Sequence, residues 1–555
     1  MDISEKFESA REKYNQGNLS QAENLFKEIL SVQPDDIDAL YFLAEISYRL
    51  GNYESAVQHI KNALLYDPTN AEAYNNLGFI LQDGGKFDEA VQCYQKAIEI
   101  NPNLPDAYIN LGNVLKEKKQ FDEAVQCYQK ALELNPALTD AYVNLGIALQ
   151  KAGRFEEAVI YCQKAVQMNP GDADMHYNLG IALQEKGRFD EAITSYLRAL
   201  KLTPNDAEMY NNLAFALQEN RRPFEAIPYY QKALQLNPAY ATAHWNMSLA
   251  LLLTGNFEEG WREYEWRWKT EYLASSYRDF KEPLWDGSDI SGRTILLHAE
   301  QGFGDTIQFI RYVPLVARRG AKIIFECPKE LASLLESVDG IKQIIVRGEE
   351  LPAFDVHCPL LSLPLVFDTR LDTIPAGVPY IASDDKLITR WKEKIRNDNS
   401  KIKIGLAWAG NPGFKQNHYR KCPLGKFSPL LQILGTAFYS LQKGGEANET
   451  KNLSVDMKVV DYSDEILDFS DTAAFIDNLD LVISVDTAVA HLAGALGKPV
   501  WTLLPFSPEW RWLLDREDSP WYPSMKLFRQ SSFGDWDSVM ERVAAELQKI
   551  MDTKS

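Results

Sequence analysis

Only six of the 555 residues are cysteine, and no two of them form a CxxC pair. That excludes a zinc ribbon or a dithiol redox centre, and a reducing cytoplasm is the expected compartment. Histidine is as sparse: the seven residues show neither HxxxH nor HExxH spacing, so no metal site and no cofactor are expected. Positive charge is short as well, with 58 Lys and Arg against 78 Asp and Glu, a net charge of −20. Nucleic acids and anionic bilayers are held by clustered Lys and Arg, so neither is an expected partner. No apolar run is long enough to span a bilayer. The opening MDISEKFESAREKYNQGN lacks the basic start and apolar core of a secretory signal. What remains is an ordinary globular composition, 45% hydrophobic and 25% charged, over a length that predicts several domains.

What the chain has in quantity is a period. Pro34, Pro68, Pro102, Pro136, Pro170, Pro204 and Pro238 stand 34 residues apart. In the same phase recur Ala22, Ala56, Ala90, Ala124, Ala158, Ala192 and Ala226, where two helices must approach closely. Gly17, Gly51, Gly85, Gly153, Gly187 and Gly255 recur where a first helix ends, a position that favours left-handed backbone. Lys119 and Arg221 take that slot in two repeats. The proline then stops the second helix. The pattern resembles the tetratricopeptide repeat family over about residues 1–272, a helix-turn-helix solenoid that usually serves as a binding surface. The aromatic run Trp261–Trp268 that follows is read either as a capping helix or as a ligand contact.

After a polar link at 273–292 the pattern changes. Short apolar strands at Thr294–Ala299, Lys322–Cys327, Gln343–Val346 and Asp355–His357 alternate with helical stretches. A second alternation begins at Lys401. The expected fold class is multidomain: an all-α superhelix followed by an α/β domain of two Rossmann-like halves. The expected boundaries are 1–272 for the repeats, 293–390 for a first, acceptor-side half, 391–535 for a second, nucleotide-sugar half, and 536–555 for a C-terminal helix and tail.

Two turns carry candidate chemistry. Gly302 and Gly304 follow a strand and precede a helix, but Ile307 replaces the third glycine of a dinucleotide fingerprint and Asp305 would repel a phosphate. Asp305 suits either an N-cap of a helix beginning at Thr306 or a general base toward a hydroxyl. In the second turn, Asp486 and Thr487 lead into Ala488-Val489-Ala490-His491, where small residues leave helix N–H groups free for a diphosphate. His491 shares a side with Thr487 and suits either an oxygen ligand or a core histidine. GFGDTIQFIRYVPLV and SVDTAVAHLAGALGKPVW resemble the two signature regions of the bacterial ADP-heptose heptosyltransferases over about residues 293–550. The resemblance implies a GT-B arrangement, a catalytic role for Asp305, and donor contacts from Asp486, Thr487 and His491. Ala488 replaces a glycine common in that family, the first half is short, and the family has no such repeats.

Other residues point to the same cleft. Asn411 closes a ligand-type turn, and Lys415, His418, Arg420 and Lys421 gather positive charge after it. Arg420 is also the nearest match to the heptosyltransferases' basic residue for the leaving group. Lys443 is a second phosphate candidate and Gln442 a nucleotide contact. Asn76, Asn110, Asn144, Asn178, Asn212 and Asn246 recur at the 34-residue step, either to bind an extended peptide backbone or to brace the packing. This column resembles the asparagine ladder of eukaryotic O-GlcNAc transferase. The combined expectation is a metal-independent glycosyltransferase using a nucleotide-diphosphate sugar, with the sugar class open. The repeats, together with Gly302 and Gly304, would hold the acceptor, a protein or peptide. The alternative is a non-catalytic repeat scaffold with a degenerate transferase domain.

Overall fold

The computed structural model describes residues 2–411, 420–454 and 457–553. Contacts divide the chain into two compact units, Met1–Asn205 and Asp206–Ser555.

The first unit is a run of paired helices from Ile3–Asn15 to Phe189–Leu202. Its turns follow from the residues read above. Gly17, Gly51, Gly85, Gly153 and Gly187 all have φ between 71° and 79°, and Lys119 adopts φ 60° in the same slot. Close packing explains the glycines of the first helices: a Cβ on Gly78, Gly112 or Gly180 would lie within 2.8 Å of the ring of Tyr94, Tyr128 or Tyr196. These tyrosines are fully buried. In one repeat Cys162 takes the tyrosine's place against Gly146. Cys93 and Cys127 are only half-buried.

The second unit begins with the last two helix pairs, Ala207–Glu219 to Phe257–Tyr264, and continues into the α/β part. The division precedes residue 272 for a physical reason. Phe257, Trp261 and Tyr264 share one apolar core with Phe309, Tyr312, Trp510 and Trp521. Trp261 also donates its indole N–H to the Thr369 carbonyl at 3.1 Å. The segment expected as a polar link is likewise packed: Trp285 and Ile290 are buried, and Trp285 N–H bonds the His357 carbonyl at 2.8 Å.

Two parallel sheets follow. The first has β1 (Thr294–His298), β2 (Lys322–Cys327), β3 (Ile341–Val346) and β4 (Val356–Pro359), in the order β3-β2-β1-β4. The second has β5 (Ile402–Ala407), β6 (Thr436–Ser440), β7 (Val459–Asp461), β8 (Leu481–Val485), β9 (Val500–Leu504) and β10 (Met525–Arg529), in the order β10-β9-β8-β5-β6-β7. This second order is that of a doubly wound nucleotide fold. The direction of winding reverses between β1 and β4, and again between β5 and β8. Ligands of such sheets bind beyond the carboxyl ends of the strands at these points. The Trp536–Thr553 helix buries Val539, Met540, Val543 and Leu547 in the core of the second sheet.

Candidate functional site

Beyond β1 the chain turns through Gln301 and Gly302 into a helix, Phe303–Phe309. That helix starts three residues earlier than the sequence suggests, so Asp305 is not its N-cap. Gly302 is the N-cap, and Asp305, at the third helical position, reaches back to accept the Gly302 N–H at 2.9 Å. The apolar Phe303 and small Gly304 hid this start. The other oxygen of Asp305 is ion-paired with Arg511. Gly304 abuts the second half: its Cβ position lies 2.9 Å from His491 Cδ2 and 3.5 Å from Ala488 Cα. Any side chain there would separate the two turns.

Beyond β8, Asp486 is buried and Thr487 is the extended N-cap of the Ala488–Ala495 helix. The Thr487 hydroxyl caps no helix N–H; it lies 3.0 Å from Ser484 Oγ. The first-turn N–H groups of Ala488 and Val489 are thus left without a side-chain cap from Thr487. Asp486 Oδ2 makes no hydrogen bond among the described residues, with Arg420 Nη1 at 3.5 Å. His491 is buried, its Nδ1 2.9 Å from the Tyr522 hydroxyl and its Nε2 3.8 Å from Asp486 Oδ1. Burial pushes its pKa down to about 3, against the pull of Asp486, so the ring is neutral near pH 7.

Other expected residues have placements of their own. Gln442 does not face the cleft freely: its Oε1 accepts the N–H groups of Trp408 and Ala409 at 3.0 and 2.9 Å and braces the turn after β5. The Lys443 ammonium bonds the carbonyls of Ser463 and Ile466 at 2.6 and 2.8 Å. Lys421 pairs with Glu446 and Glu449. Asn411 is exposed at the end of the same turn. Lys415 and His418 lie outside the described residues.

The asparagine column is partly occupied by the protein itself. Asn110 Nδ2 donates to Asn75 Oδ1 of the preceding repeat at 3.0 Å, and Asn246 Nδ2 to Asn211 Oδ1 at 3.1 Å. Asn144 Oδ1 accepts from Lys116, Asn178 Nδ2 donates to the Asp174 carbonyl, and Asn212 Oδ1 accepts from Asn211. Asn76 is exposed.

Sequence reasoning missed Glu509 and Arg511, on the turn after β9. Arg511 is buried between Trp510 and Trp512, and its guanidinium contacts Asp305, Glu509 and Gln308. Burial works against its charge, but Glu509 and Asp305 more than offset this and hold it protonated. Burial pushes the Glu509 carboxyl up, with Arg511 opposing. A lone arginine flanked by two tryptophans in an acidic chain was the available signal. A shallow cavity of about 460 Å³ lined by Leu371, Asp372, Ile374, Ala376, Arg516 and Pro520 includes none of these groups.

A second polar cluster lies in the first sheet. His298, on β1, is buried against Phe280 and His357, and its Nε2 makes no hydrogen bond among the described residues. Burial, reinforced by His357 and Arg278, pushes its pKa down to about 3. The unfolded chain takes up this proton near pH 6.5 and the folded chain only near 3, so the neutral ring stabilises the fold above about 6.5 and that contribution is lost as pH falls toward 3. The loss is about 1.4 kcal/mol per pH unit for one such group. His298→Phe is therefore expected to flatten the decline of melting temperature between pH 6.5 and 4.5. Parallel curves for the two proteins would refute it.

Known proteins match this architecture in two parts. Tetratricopeptide repeat models match residues 14–78, 80–119, 112–153, 139–172, 161–194, 182–220 and 207–240. The model of glycosyltransferase family 9 (heptosyltransferase) matches residues 466–532, a span that holds Asp486, Thr487, His491, Glu509 and Arg511. The chain thus joins tetratricopeptide repeats to an α/β GT-B-like domain whose second half carries the family 9 signature. Among individual proteins, Protein FlbA of Caulobacter vibrioides is 27% identical over 320 residues, 54% of this chain and 53% of FlbA. The chain spans about half the length of this curated relative. Of solved structures, YrrB, described as a TPR protein with an unusual peptide-binding site, is 26% identical, with a TM-score of 0.32, over 34% of this chain and 97% of its own. MamA is 28% identical, with a TM-score of 0.28, over 29% of this chain and 94% of its own. No described helix is long and apolar enough to cross a membrane.

Proposed function

We propose that the protein is a metal-independent glycosyltransferase that takes a sugar from a nucleoside diphosphate carrier and passes it to a hydroxyl of a protein acceptor. The observation that carries this reading is the meeting of two turns: Asp305 stands on one, and the uncapped N-terminus of the Ala488–Ala495 helix on the other, with Gly304 against Ala488. A helix N-terminus favours a diphosphate, and a carboxylate on the facing turn can take a proton from the acceptor. Asp305 is the general base. The Ala488 and Val489 N–H groups, with Arg420, receive the charge that develops on the departing diphosphate. Neutral His491 contributes hydrogen bonding rather than charge. The repeats bind the acceptor, with the exposed Asn76 and the amides of Asn110, Asn144 and Asn178 turned to its backbone.

One observation favours a second reading. Both oxygens of Asp305 are already engaged, by Gly302 N–H and by Arg511. In a non-catalytic scaffold these bonds would be the whole of its role.

The test is a melting panel of ADP, UDP, GDP, CDP and dTDP, with and without EDTA. One of them is expected to stabilise the protein by about 2.7 kcal/mol at a hundredfold excess over its Kd, undiminished by EDTA. No shift with any of the five would overturn the enzyme reading, and a shift abolished by EDTA would overturn metal independence.

A further inference from the structure

Arg511 crosses from the second half to the first. Its Nη2 meets Asp305 Oδ1, its Nη1 meets Glu509 Oε1, and its Nε meets Gln308 Oε1. The guanidinium also lies 4.4 Å from the Trp510 ring centre and 5.5 Å from that of Phe309. Trp512, the next residue, lies against His491 with ring centres 5.4 Å apart, and Asp305, the partner of Arg511, follows Gly304, whose Cβ position lies 3.5 Å from Ala488 Cα, which brings Arg511 near the helix start assigned to the diphosphate. Among the described residues the carboxylates of Asp305, Asp486 and Glu509 gather here with the guanidiniums of Arg420 and Arg511, and Arg311 lies behind them, bonded to Tyr380, whose hydroxyl meets Tyr522 beside His491. With these carboxylates in place, an entering anion is held more tightly if a cation can turn from carboxylate to phosphate. Arg511 has two carboxylate partners and a planar fork suited to phosphate, so it can give one up and keep the other.

We propose that Arg511 is shared between Asp305 and the substrate: in the geometry seen here it restrains the base, and a bound nucleoside diphosphate sugar draws it onto the diphosphate and releases Asp305. This rests on the function proposed above and adds an order to it, donor before acceptor. A carboxylate relieved of a cation accepts a proton more readily. In the transfer step the acceptor hydroxyl gives its proton to Asp305, and its oxygen forms the bond to the sugar carbon. The bond from that carbon to the phosphate oxygen breaks, and its electron pair leaves with the nucleoside diphosphate. The new negative charge lies against Arg511.

The proposal predicts effects of opposite sign on one measurement, the affinity of the full chain for whichever nucleoside diphosphate stabilises it. Asp305→Asn frees Arg511 and is expected to tighten binding about threefold or more. Arg511→Lys is expected to weaken binding about tenfold or more, and the double variant should be as weak as Arg511→Lys alone. A purely structural Arg511 would not make removal of its partner improve affinity. If Arg511→Lys does not fold, Arg511→Gln with Glu509→Gln removes the charges in balance and is expected to show the same weakening. Unchanged or weaker binding by Asp305→Asn overturns this inference while leaving the proposed function standing. Absence of nucleotide binding by the natural sequence overturns both.

Discussion

Asp305→Asn is expected to hydrolyse or transfer nucleotide sugar about 10²–10⁴-fold more slowly than the natural sequence, the usual contribution of a positioned general base. The substitution separates the roles that Asp305 combines. An asparagine oxygen can still accept the Gly302 N–H, now made at 2.9 Å, so the start of the Phe303–Phe309 helix is retained. The charge on Arg511 stays buried beside Glu509, which keeps it compensated. What is lost is the capacity to take a proton. The measurement is release of nucleoside diphosphate from the nucleotide sugar whose diphosphate binds, with melting followed on the same sample. Normal turnover would remove Asp305 from the chemistry and leave it as a helix and ion-pair residue, the role it has in the scaffold reading. A slow variant that also melts far lower would locate the effect in the fold instead. The comparison is therefore made on the folded fraction.

Much of the fold could be read from the sequence because its determinants are local. A turn that ends in left-handed backbone selects glycine within each 34-residue unit, and the phase is strong enough to place Lys119 and Arg221 in that conformation, with φ of 60° and 58°. The strands of the two halves are short apolar runs, and the turns after β1 and β8 were found from glycine, Asp305 and the Asp486-Thr487 pair. The edge strands β7 and β10 leave no such signal, since Val459–Asp461 and Met525–Arg529 are too short or too charged to show a pattern. The site was legible where one turn supplies the residues and illegible where partners come from far along the chain. Arg511 meets Asp305 across 206 positions, and Gln442 reaches back to Trp408 across 34. No periodicity encodes those meetings. For the same reason Lys443 resembled a phosphate ligand in sequence, while two carbonyls of the 463–466 turn hold its ammonium.

Arg267→Met is expected to cost about 3–5 kcal/mol of stability, because it removes one partner of a buried ion pair and leaves the other. The Arg267 side chain is 0% exposed and Glu300 2%, and both Glu300 oxygens lie 3.1 Å from Arg267 Nη2. The same guanidinium bonds Glu265 at 2.6 Å and the Ser362 hydroxyl at 2.7 Å. It lies 5.0 Å from the Tyr264 ring centre and 4.5 Å from that of Trp268. It therefore ties the aromatic cap after the last repeat to the end of β1, five residues before Asp305. Methionine fills much of the volume, so the loss reports the charge. Its dependence on pH identifies the charge. Burial pushes the Glu300 pKa up to about 7 even with Arg267 opposing. A carboxyl raised in the folded state favours folding while protonated, and that contribution is lost as pH rises from about 4.5 through 7. Without Arg267, burial and the nearby Glu265 and Asp305 carboxylates act unopposed, so the loss continues to higher pH. The stability gap between the natural sequence and Arg267→Met is thus expected to be larger at pH 8 than at pH 5.5, and adding Glu300→Gln should recover much of it at pH 8. A gap below about 1 kcal/mol, or one equal at both pH values, would show that Arg267 acts through packing and that Glu300 is not the charge it holds.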